Sequence, residues 1–188
     1  YSMAKLNIRD IELKGKKVGI HAYGNVGRLV AEKAKAMGME VWAFDPFVPA
    51  EKMQAEGVKP AATIEELYSN CDYVSLHIPA NDQTKNSINY ELLSKMPKGA
   101  CLVNTARKEV INEADMAKLL AERTDFKYVT DIAAGNNDEL AAFAPRYFAT
   151  PKKMGAQTAE ANLNAGLAAA NQIVDFIKNG VTKFQVNK

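Results

Sequence analysis

Two glycines near the start of the chain have the spacing of a phosphate-binding turn. Gly24 and Gly27 lie in the segment A-Y-G-N-V-G, directly after a short apolar run. In the dinucleotide-binding turn G-x-G-x-x-G, the second glycine lets the backbone approach a pyrophosphate and the third allows close helix–strand packing. Ala22 replaces the first glycine, so we expect a turn with φ below zero there. The main-chain amides of Asn25 and Val26 would be the first unpaired donors of a helix, directed at an anion.

A carboxylate follows at the distance that such a turn requires. Asp45 ends the second apolar run, 21 positions after Gly24, close to the ~20-residue offset expected for an acid that binds the adenosine ribose. A carboxylate there also repels a 2′-phosphate, which favours NAD over NADP. Taken singly, the glycines could serve packing alone, and an Asp before Pro46 is common at the start of turns. The combination predicts a dinucleotide site.

The elements that would position these residues alternate between strand and helix. Runs that are nearly all apolar predict strands, and segments of helical periodicity separate them. Such alternation is typical of a parallel sheet covered on both faces, with right-handed crossovers. The sequence therefore predicts an α/β fold with a doubly wound parallel sheet, a Rossmann-like domain, and a long C-terminal helix. The predicted strands are residues 18–23, 41–45, 73–78, 100–105, 127–132 and 147–150, and the predicted helices are 26–37, 63–68 (capped by Thr63), 89–96, 112–123 (capped by Asn112) and 158–178.

The composition is that of an ordinary globular protein. Apolar residues make up 47% and charged residues 24% of the 188 residues, and the net charge is +2. This excludes a disordered or disulfide-stapled chain and gives no indication of a nucleic-acid partner. No apolar run reaches the ~20 residues of a membrane span, and no secretory leader is evident. We therefore expect a cytoplasmic protein in which Cys71 and Cys101 are free, buried thiols.

Several motifs together resemble one enzyme family. They are L-K-G-K-K-V-G-I at 13–20, V-S-L-H-I-P at 74–79, K-G-A-C-L-V-N-T-A-R at 98–107, T-D at 130–131 and A-T-P at 149–151. In this order they resemble the nucleotide-binding domain of the D-isomer-specific 2-hydroxyacid dehydrogenases. Within that family they are most similar to the branch that oxidises 3-phosphoglycerate in serine biosynthesis. The resemblance implies NAD as the cofactor and no metal.

The resemblance also implies roles for residues at matching positions. Asn25 and Val26 would bind the pyrophosphate, Asp45 the ribose, and Asp131 would lie near the nicotinamide carboxamide. The loop after the third predicted strand would lie beside the adenosine. The complete set of implied cofactor contacts is Tyr23, Gly24, Asn25, Val26, Gly27, Asp45, His77, Ile78, Pro79, Thr105, Ala106, Arg107 and Asp131.

Arg107 stands where the family has its substrate-binding arginine. A 2-hydroxy acid presents a planar carboxylate, which a guanidinium holds through paired N–H bonds while it polarises the neighbouring carbonyl oxygen. Arg107 also follows a predicted strand, at the edge where open α/β sheets bind ligands. A surface arginine is the alternative interpretation.

The family's catalytic histidine and its glutamate partner are absent. Where the family has T-P-H-x-G, this chain has Thr150-Pro151-Lys152-Lys153, and Asn136 stands at the glutamate's place. A lysine-type branch of the family resembles this pattern, so we expect Lys152 or Lys153 to act as the base, its pKa lowered by burial and by Arg107. Alternatively, both lysines are solvated and the chain is a non-catalytic NAD-binding or dimerisation module.

The resemblance further implies an organisation into parts. Residues 1–12 would be a linker or the remnant of an interdomain crossing, 13–156 the NAD-binding domain, and 157–188 a helix and tail that return to a substrate domain outside this sequence. The substrate would be a phosphorylated 2-hydroxy acid, with another D-2-hydroxy acid as the alternative, and the protein would be a homodimer. Without the second wall of the cleft, NAD binding would persist while turnover would be slow or lost.

Overall fold

The computed structural model describes residues 12–153, 155 and 157–187. Nearly all of the predicted linker, residues 1–12, lies outside the described residues. The chain divides into two compact units with the boundary between Lys152 and Lys153.

The first unit is built on a parallel sheet of seven strands. The strands are β1 (Lys17–His21), β2 (Glu40–Phe44), β3 (Lys59–Pro60), β4 (Tyr73–Leu76), β5 (Cys101–Asn104), β6 (Lys127–Thr130) and β7 (Tyr147–Ala149). Their order is β3-β2-β1-β4-β5-β6-β7, with Val18 of β1 paired to Val41 on one side and to Tyr73 on the other. The predicted doubly wound α/β fold is confirmed, and its strand order reverses between β1 and β4.

The helices of the first unit are α1 (Asn25–Ala36), α2 (Ala50–Ala55), α3 (Ile64–Asn70), α4 (Tyr90–Ser94), α5 (Glu113–Glu122) and α6 (Asn137–Ala141), with a 3₁₀ turn at Lys108–Val110. Side chains cap α3 and α5 as the sequence predicts: Thr63 Oγ1 accepts a hydrogen bond from Glu66 N at 3.1 Å, and Asn112 Oδ1 accepts one from Asp115 N at 3.2 Å. Helices α2 and α6 and strand β3 were not predicted, because segments of two to six residues show a periodicity only weakly.

The sheet separates two hydrophobic cores. One core joins β1 and β2 to α1 and α2, with Ile20 and Ala31 fully buried. The other joins the sheet to α3, α4 and α5. Cys71 follows α3 and Cys101 lies in β5, and both are free and buried, which confirms the prediction for the thiols. Burial raises the pKa of Cys71 to about 12 and that of Cys101 to about 11, so both thiols are protonated and unreactive at neutral pH.

The second unit contains the predicted long helix, α7 (Ala159–Asn179). Thr158 Oγ1 accepts a hydrogen bond from Ala161 N at 3.0 Å, and Gly180 ends the helix at a φ of +64°. Its larger apolar side chains are exposed. Within the part of the chain that the structure describes, no helix is long and apolar enough to cross a membrane.

Candidate cofactor and substrate site

The predicted site residues of the first unit lie in loops at one edge of the sheet. Because all seven strands are parallel, their carboxyl ends meet at the same edge. Ligands of open α/β sheets bind at this edge, next to the point where the strand order reverses. Residues 22–27 after β1 form the nucleotide loop, and residues 105–107 after β5 form the arginine loop.

Ala22 opens the nucleotide loop in a conformation that favours glycine. Its φ is +78°, so the prediction of a negative φ at this position was wrong. Ala22 N still donates to Phe44 O at 2.9 Å, which extends the pairing of β1 with β2 by one residue. The chain then turns within three residues to begin α1 at Asn25. An alanine held in this region costs of order 1–3 kcal/mol.

The two retained glycines differ in what surrounds them. A Cβ added to Gly27 would collide with the carbonyl oxygen of Ala22 and lie 2.9 Å from Ile20 Cγ2, whereas nothing lies within 4 Å of one added to Gly24. Gly27 is therefore required for packing, and Gly24 faces open space. The first hydrogen bond of α1 runs from Arg28 N to Gly24 O at 3.0 Å. The amides that precede Arg28 are thus left at the helix start for an anion, as a dinucleotide pyrophosphate requires.

Asp45 connects the loops that follow β1 and β2. Its Oδ2 atom accepts a hydrogen bond from Tyr23 N at 2.8 Å, and its Oδ1 atom accepts one from Phe47 N at 2.9 Å. Each carboxylate oxygen can accept a further bond, so the pair can still receive two ribose hydroxyls. The residues of the nucleotide loop and Asp45 therefore fit the adenosine half of NAD.

Tyr23 contributes to this loop through its main chain. Its side chain is buried, and its hydroxyl donates to Glu56 Oε2 at 2.8 Å. Burial and this hydrogen bond raise the pKa of Tyr23 to about 12. Arg28 forms an ion pair with the same carboxylate of Glu56. The phenol ring thus anchors the loop to the end of α2, and only the backbone of Tyr23 remains for a cofactor.

The loop after β4 lies beside the end of β1. His77 N donates to His21 O at 2.9 Å, and His77 Nε2 lies 3.0 Å from Ser75 Oγ. Burial lowers the pKa of His77. Burial also lowers the pKa of His21, to about 4, and the neighbouring His77 makes a smaller contribution in the same direction. Both rings are therefore neutral at pH 7 and add no charge to the site. Ile78 is buried in the core, and Pro79 is exposed.

The arginine loop is shaped by a residue that the sequence analysis missed. Asn104, the last residue of β5, is fully buried. Its Oδ1 accepts a hydrogen bond from Ala106 N at 3.0 Å, and its Nδ2 donates to Arg107 O at 3.0 Å and to the Tyr128 hydroxyl at 3.4 Å. Arg107 is exposed, and Thr105 is exposed beside it. The signal available in the sequence for this role was an amide side chain at the end of an apolar strand.

Asp131 comes directly after β6 and begins the loop that continues to Asn136. Asp131 is half-buried; its N–H donates to Asn104 O at 3.2 Å, and its carbonyl accepts from Thr150 Oγ1 at 2.8 Å. Glu113 anchors the rest of this loop, since its carboxylate accepts from Gly135 N at 2.5 Å and Asn136 N at 3.2 Å. No local pattern in the sequence reveals this role of Glu113, because its partners are 22 and 23 residues away.

The two lysines after β7 lie in different units. Lys152 is exposed, and its carbonyl accepts a hydrogen bond from Thr150 Oγ1 at 3.2 Å. In the sheet, β6 alone separates β7 from β5. Strands lie ~4.8 Å apart, so Lys152 and Arg107 follow strands about 10 Å apart. Lys153 is half-buried and belongs to the second unit. The role of either lysine as a base stays a prediction.

Comparison with known proteins agrees with the resemblance of the motifs. Residues 2–152 match the family described as D-isomer specific 2-hydroxyacid dehydrogenase, NAD binding domain. The chain is 32% identical over 181 residues to D-3-phosphoglycerate dehydrogenase of Methanocaldococcus jannaschii, covering 95% of this chain and 34% of that protein. It is 32% identical over 174 residues to hydroxypyruvate reductase of Thermotoga maritima, covering 90% of this chain and 55% of that protein.

A solved structure shows the same fold. The NAD⁺-bound 3-phosphoglycerate dehydrogenase of Entamoeba histolytica is 45% identical, with a TM-score of 0.84, covering 96% of this chain and 57% of that one. The chain spans about a third of the length of the M. jannaschii relative. These likenesses confirm the resemblance read from the motifs.

Proposed function

The chain belongs to the D-isomer-specific 2-hydroxyacid dehydrogenases, whose NAD-binding domain it contains, and we propose that it is the cofactor half of an enzyme that oxidises 3-phosphoglycerate to 3-phosphohydroxypyruvate. One observation carries the proposal. The nucleotide loop with Asp45, and the arginine loop with Arg107, lie at the same edge of one parallel sheet. The phosphoglycerate dehydrogenases among the relatives favour this substrate.

The cofactor's adenosine half is held by the nucleotide loop. The amides of Asn25 and Val26 bind the pyrophosphate at the start of α1, and Asp45 accepts hydrogen bonds from the ribose hydroxyls. Thr105, Ala106 and the carboxylate of Asp131 lie toward the nicotinamide half. When bound, NAD⁺ supplies the acceptor for the hydride that leaves C2 of the substrate.

The protein's own groups handle the substrate's carboxylate and its proton. Arg107 holds the carboxylate through paired N–H bonds and polarises the C2 oxygen as a carbonyl forms. One of the two lysines after β7, Lys152 or Lys153, accepts the hydroxyl proton in place of the family's histidine. A lysine has no tautomer to orient, which is consistent with an asparagine at position 136.

Calorimetric titration of the chain with NAD⁺ and NADP⁺ tests the cofactor site. We expect saturable NAD⁺ binding and at least tenfold weaker NADP⁺ binding, since Asp45 repels a 2′-phosphate. The matched variant Asp45→Asn should narrow this preference. Equal affinity for both cofactors in the unaltered chain would contradict the role of Asp45.

Formation of NADH by the protein joined to a substrate domain tests the reaction. We expect turnover of D-3-phosphoglycerate to exceed that of D-glycerate and D-lactate, and Lys152→Ala or Lys153→Ala to lower kcat by 10²–10⁴-fold. Preference for D-glycerate would instead favour the activity named for the T. maritima relative. Cofactor binding without turnover of any hydroxy acid would favour the non-catalytic module.

We also propose that the protein is a homodimer. The exposed apolar side chains of α7, among them Leu163, Leu167 and Phe176, support an association that covers them. Sedimentation velocity over a range of concentrations tests this, and a monomer throughout the range would contradict it.

A further inference from the structure

Helix α1 begins without a side chain that caps it. The side chains of Thr63 and Asn112 cap α3 and α5, whereas α1 starts after Gly24, which has no side chain to offer. A capping side chain would accept hydrogen bonds from the first amides of the helix, and these are the amides that a pyrophosphate would use. The start of α1 is therefore held in place by contacts other than a cap.

Glu56, the residue that follows α2, contacts α1 at two points. Its carboxylate accepts from Arg28 Nε at 3.1 Å and also from Arg28 Nη2. Its main-chain carbonyl accepts a hydrogen bond from Lys35 Nζ. Arg28 and Lys35 are seven residues apart, which is about two turns or ~10 Å along a helix. Two attachments at this separation fix the direction of the helix axis as well as its position.

The same carboxylate holds the nucleotide loop. The Tyr23 hydroxyl donates to Glu56 Oε2 at 2.8 Å, while Tyr23 N donates to Asp45 Oδ2 at 2.8 Å. Tyr23 is thus fixed both through its ring and through its main chain, directly before Gly24. Hydrogen bonds from Tyr23 and Arg28 lower the pKa of the Glu56 carboxyl, so Glu56 is ionised at neutral pH. Its hydrogen bonds are therefore charge-assisted, and such bonds are the stronger kind.

We propose that Glu56 is a positioning residue of the cofactor site, which acts through Tyr23 and Arg28 to direct the first amides of α1 at the pyrophosphate. The inference rests on the proposed binding of NAD by the nucleotide loop. A pyrophosphate binds only while the loop and α1 are correctly placed, and the apparent dissociation constant rises in proportion as that population falls. Glu56 keeps the population high, because its four hydrogen bonds join the loop, α1 and α2.

Titration of the 188-residue chain with ADP-ribose and with adenosine tests the inference. ADP-ribose carries the pyrophosphate, whereas adenosine has the base and ribose without any phosphate. Glu56→Ala should weaken ADP-ribose about tenfold and leave adenosine within about twofold, since only ADP-ribose uses the amides of α1. A change that merely loosened the fold would weaken both ligands alike. Calorimetry measures the first ligand, and NMR chemical shifts measure the weaker second one.

Two further variants separate the contacts of Glu56. Glu56→Gln keeps one acceptor oxygen, so its ADP-ribose affinity should lie between those of the unaltered chain and Glu56→Ala. Tyr23→Phe removes the hydrogen bond of the ring and should weaken ADP-ribose about threefold. In the Glu56→Ala background, Tyr23→Phe should have almost no additional effect, because that bond is already lost. Fully additive losses would overturn the action of Glu56 through Tyr23.

The matched control is Glu51→Ala. Glu51 is an exposed glutamate in the first turn of the same helix, α2. This control should bind both ligands as the unaltered chain does. An unaltered ratio of ADP-ribose to adenosine affinity in Glu56→Ala would overturn the inference and leave the proposed cofactor site intact. If the unaltered chain bound neither ADP-ribose nor NAD⁺, the proposed cofactor site itself would fail, and the inference with it.

Discussion

The nucleotide loop and the arginine loop are each closed by one polar side chain that binds main-chain groups. In the arginine loop this side chain is Asn104, and its main-chain partners are two and three residues further on. In the nucleotide loop it is Asp45, whose partner Tyr23 is 22 residues away. The arginine loop can therefore form locally, whereas the nucleotide loop forms only after β2 has paired with β1.

The two loops also differ in the strain that they carry. The nucleotide loop contains Ala22 at a φ of +78° and a glycine, Gly27, that no larger residue can replace without displacing the turn. In the arginine loop, Asn104 has partners for both its amide oxygen and its nitrogen. Strain is thus concentrated in the loop whose backbone amides we propose to face the pyrophosphate. In the loop where we propose that the Arg107 side chain binds the substrate, an unstrained turn suffices.

The largest effect that would sharpen this comparison is expected from Gly27→Ala. The new Cβ meets the carbonyl oxygen of Ala22 and the side chain of Ile20, so we expect a loss of about 3 kcal/mol in the free energy of unfolding. NAD⁺ binding should fall below detection in calorimetry. The control, Gly24→Ala, has open space around its Cβ and should change stability by less than about 0.5 kcal/mol. Equal losses of stability in both variants would contradict the close packing of the turn around Gly27.

Acid should weaken the nucleotide-loop side of the sheet through His21. The pKa of His21 is about 4 in the folded chain, because of burial, against 6.5 when unfolded. Between these values the unfolded chain binds a proton that the folded chain does not. The contribution of His21 is therefore complete above pH 6.5 and is lost as the pH falls towards 4. From pH 7 to pH 5 we expect a loss of about 2 kcal/mol.

Urea unfolding at several pH values measures this loss. The variant His21→Gln should remove most of the pH dependence in this range, while a substitution in the arginine loop, Thr105→Ser, should leave it intact. A slope that persists in His21→Gln would show that other groups are responsible.

A somewhat smaller effect is expected from Asn104→Asp, which tests the arginine loop alone. The aspartate can still accept from Ala106 N but can no longer donate to Arg107 O, and it places a charge in a fully buried position. We expect stability to fall by about 1.5 kcal/mol. Hydrogen exchange at Arg107 should become faster, while AMP affinity stays within about twofold. Faster exchange at Tyr23 as well would mean that the two loops are coupled.

The smallest effect, and the only gain, is expected from Ala22→Gly. Glycine adopts a positive φ without the steric cost that alanine has. The substitution relieves the strain at φ +78°, but glycine also has more conformational entropy to lose on folding. We expect the net result to be a stabilisation of about 1 kcal/mol. Chemical denaturation measures it. Destabilisation would show that Ala22 is not strained.

Most of the fold could be predicted from local patterns in the sequence. The apolar runs and helical periodicities gave six of the strands within a few residues of their ends, and Thr63 and Asn112 marked helix starts as expected. Strand β3 and helix α2 escaped prediction because they are short and held by tertiary contacts. The sign of φ at Ala22 was predicted wrongly, because residue preference was outweighed by the pairing of Ala22 N with Phe44 O.

The sequence by itself determined which residues stand at the carboxyl ends of the strands, since position along a strand depends on local periodicity. It thereby located Gly24, Gly27, Asp45 and Arg107 and indicated a cofactor. Only the tertiary structure decided which hydrogen bonds hold the loops in place. Asp45 accepts from the backbone of Tyr23, Asn104 donates to the backbone of Arg107, and Glu113 accepts from the loop after β6. Contacts between distant segments depend on strand order and register, and these emerge only when the whole sheet is packed.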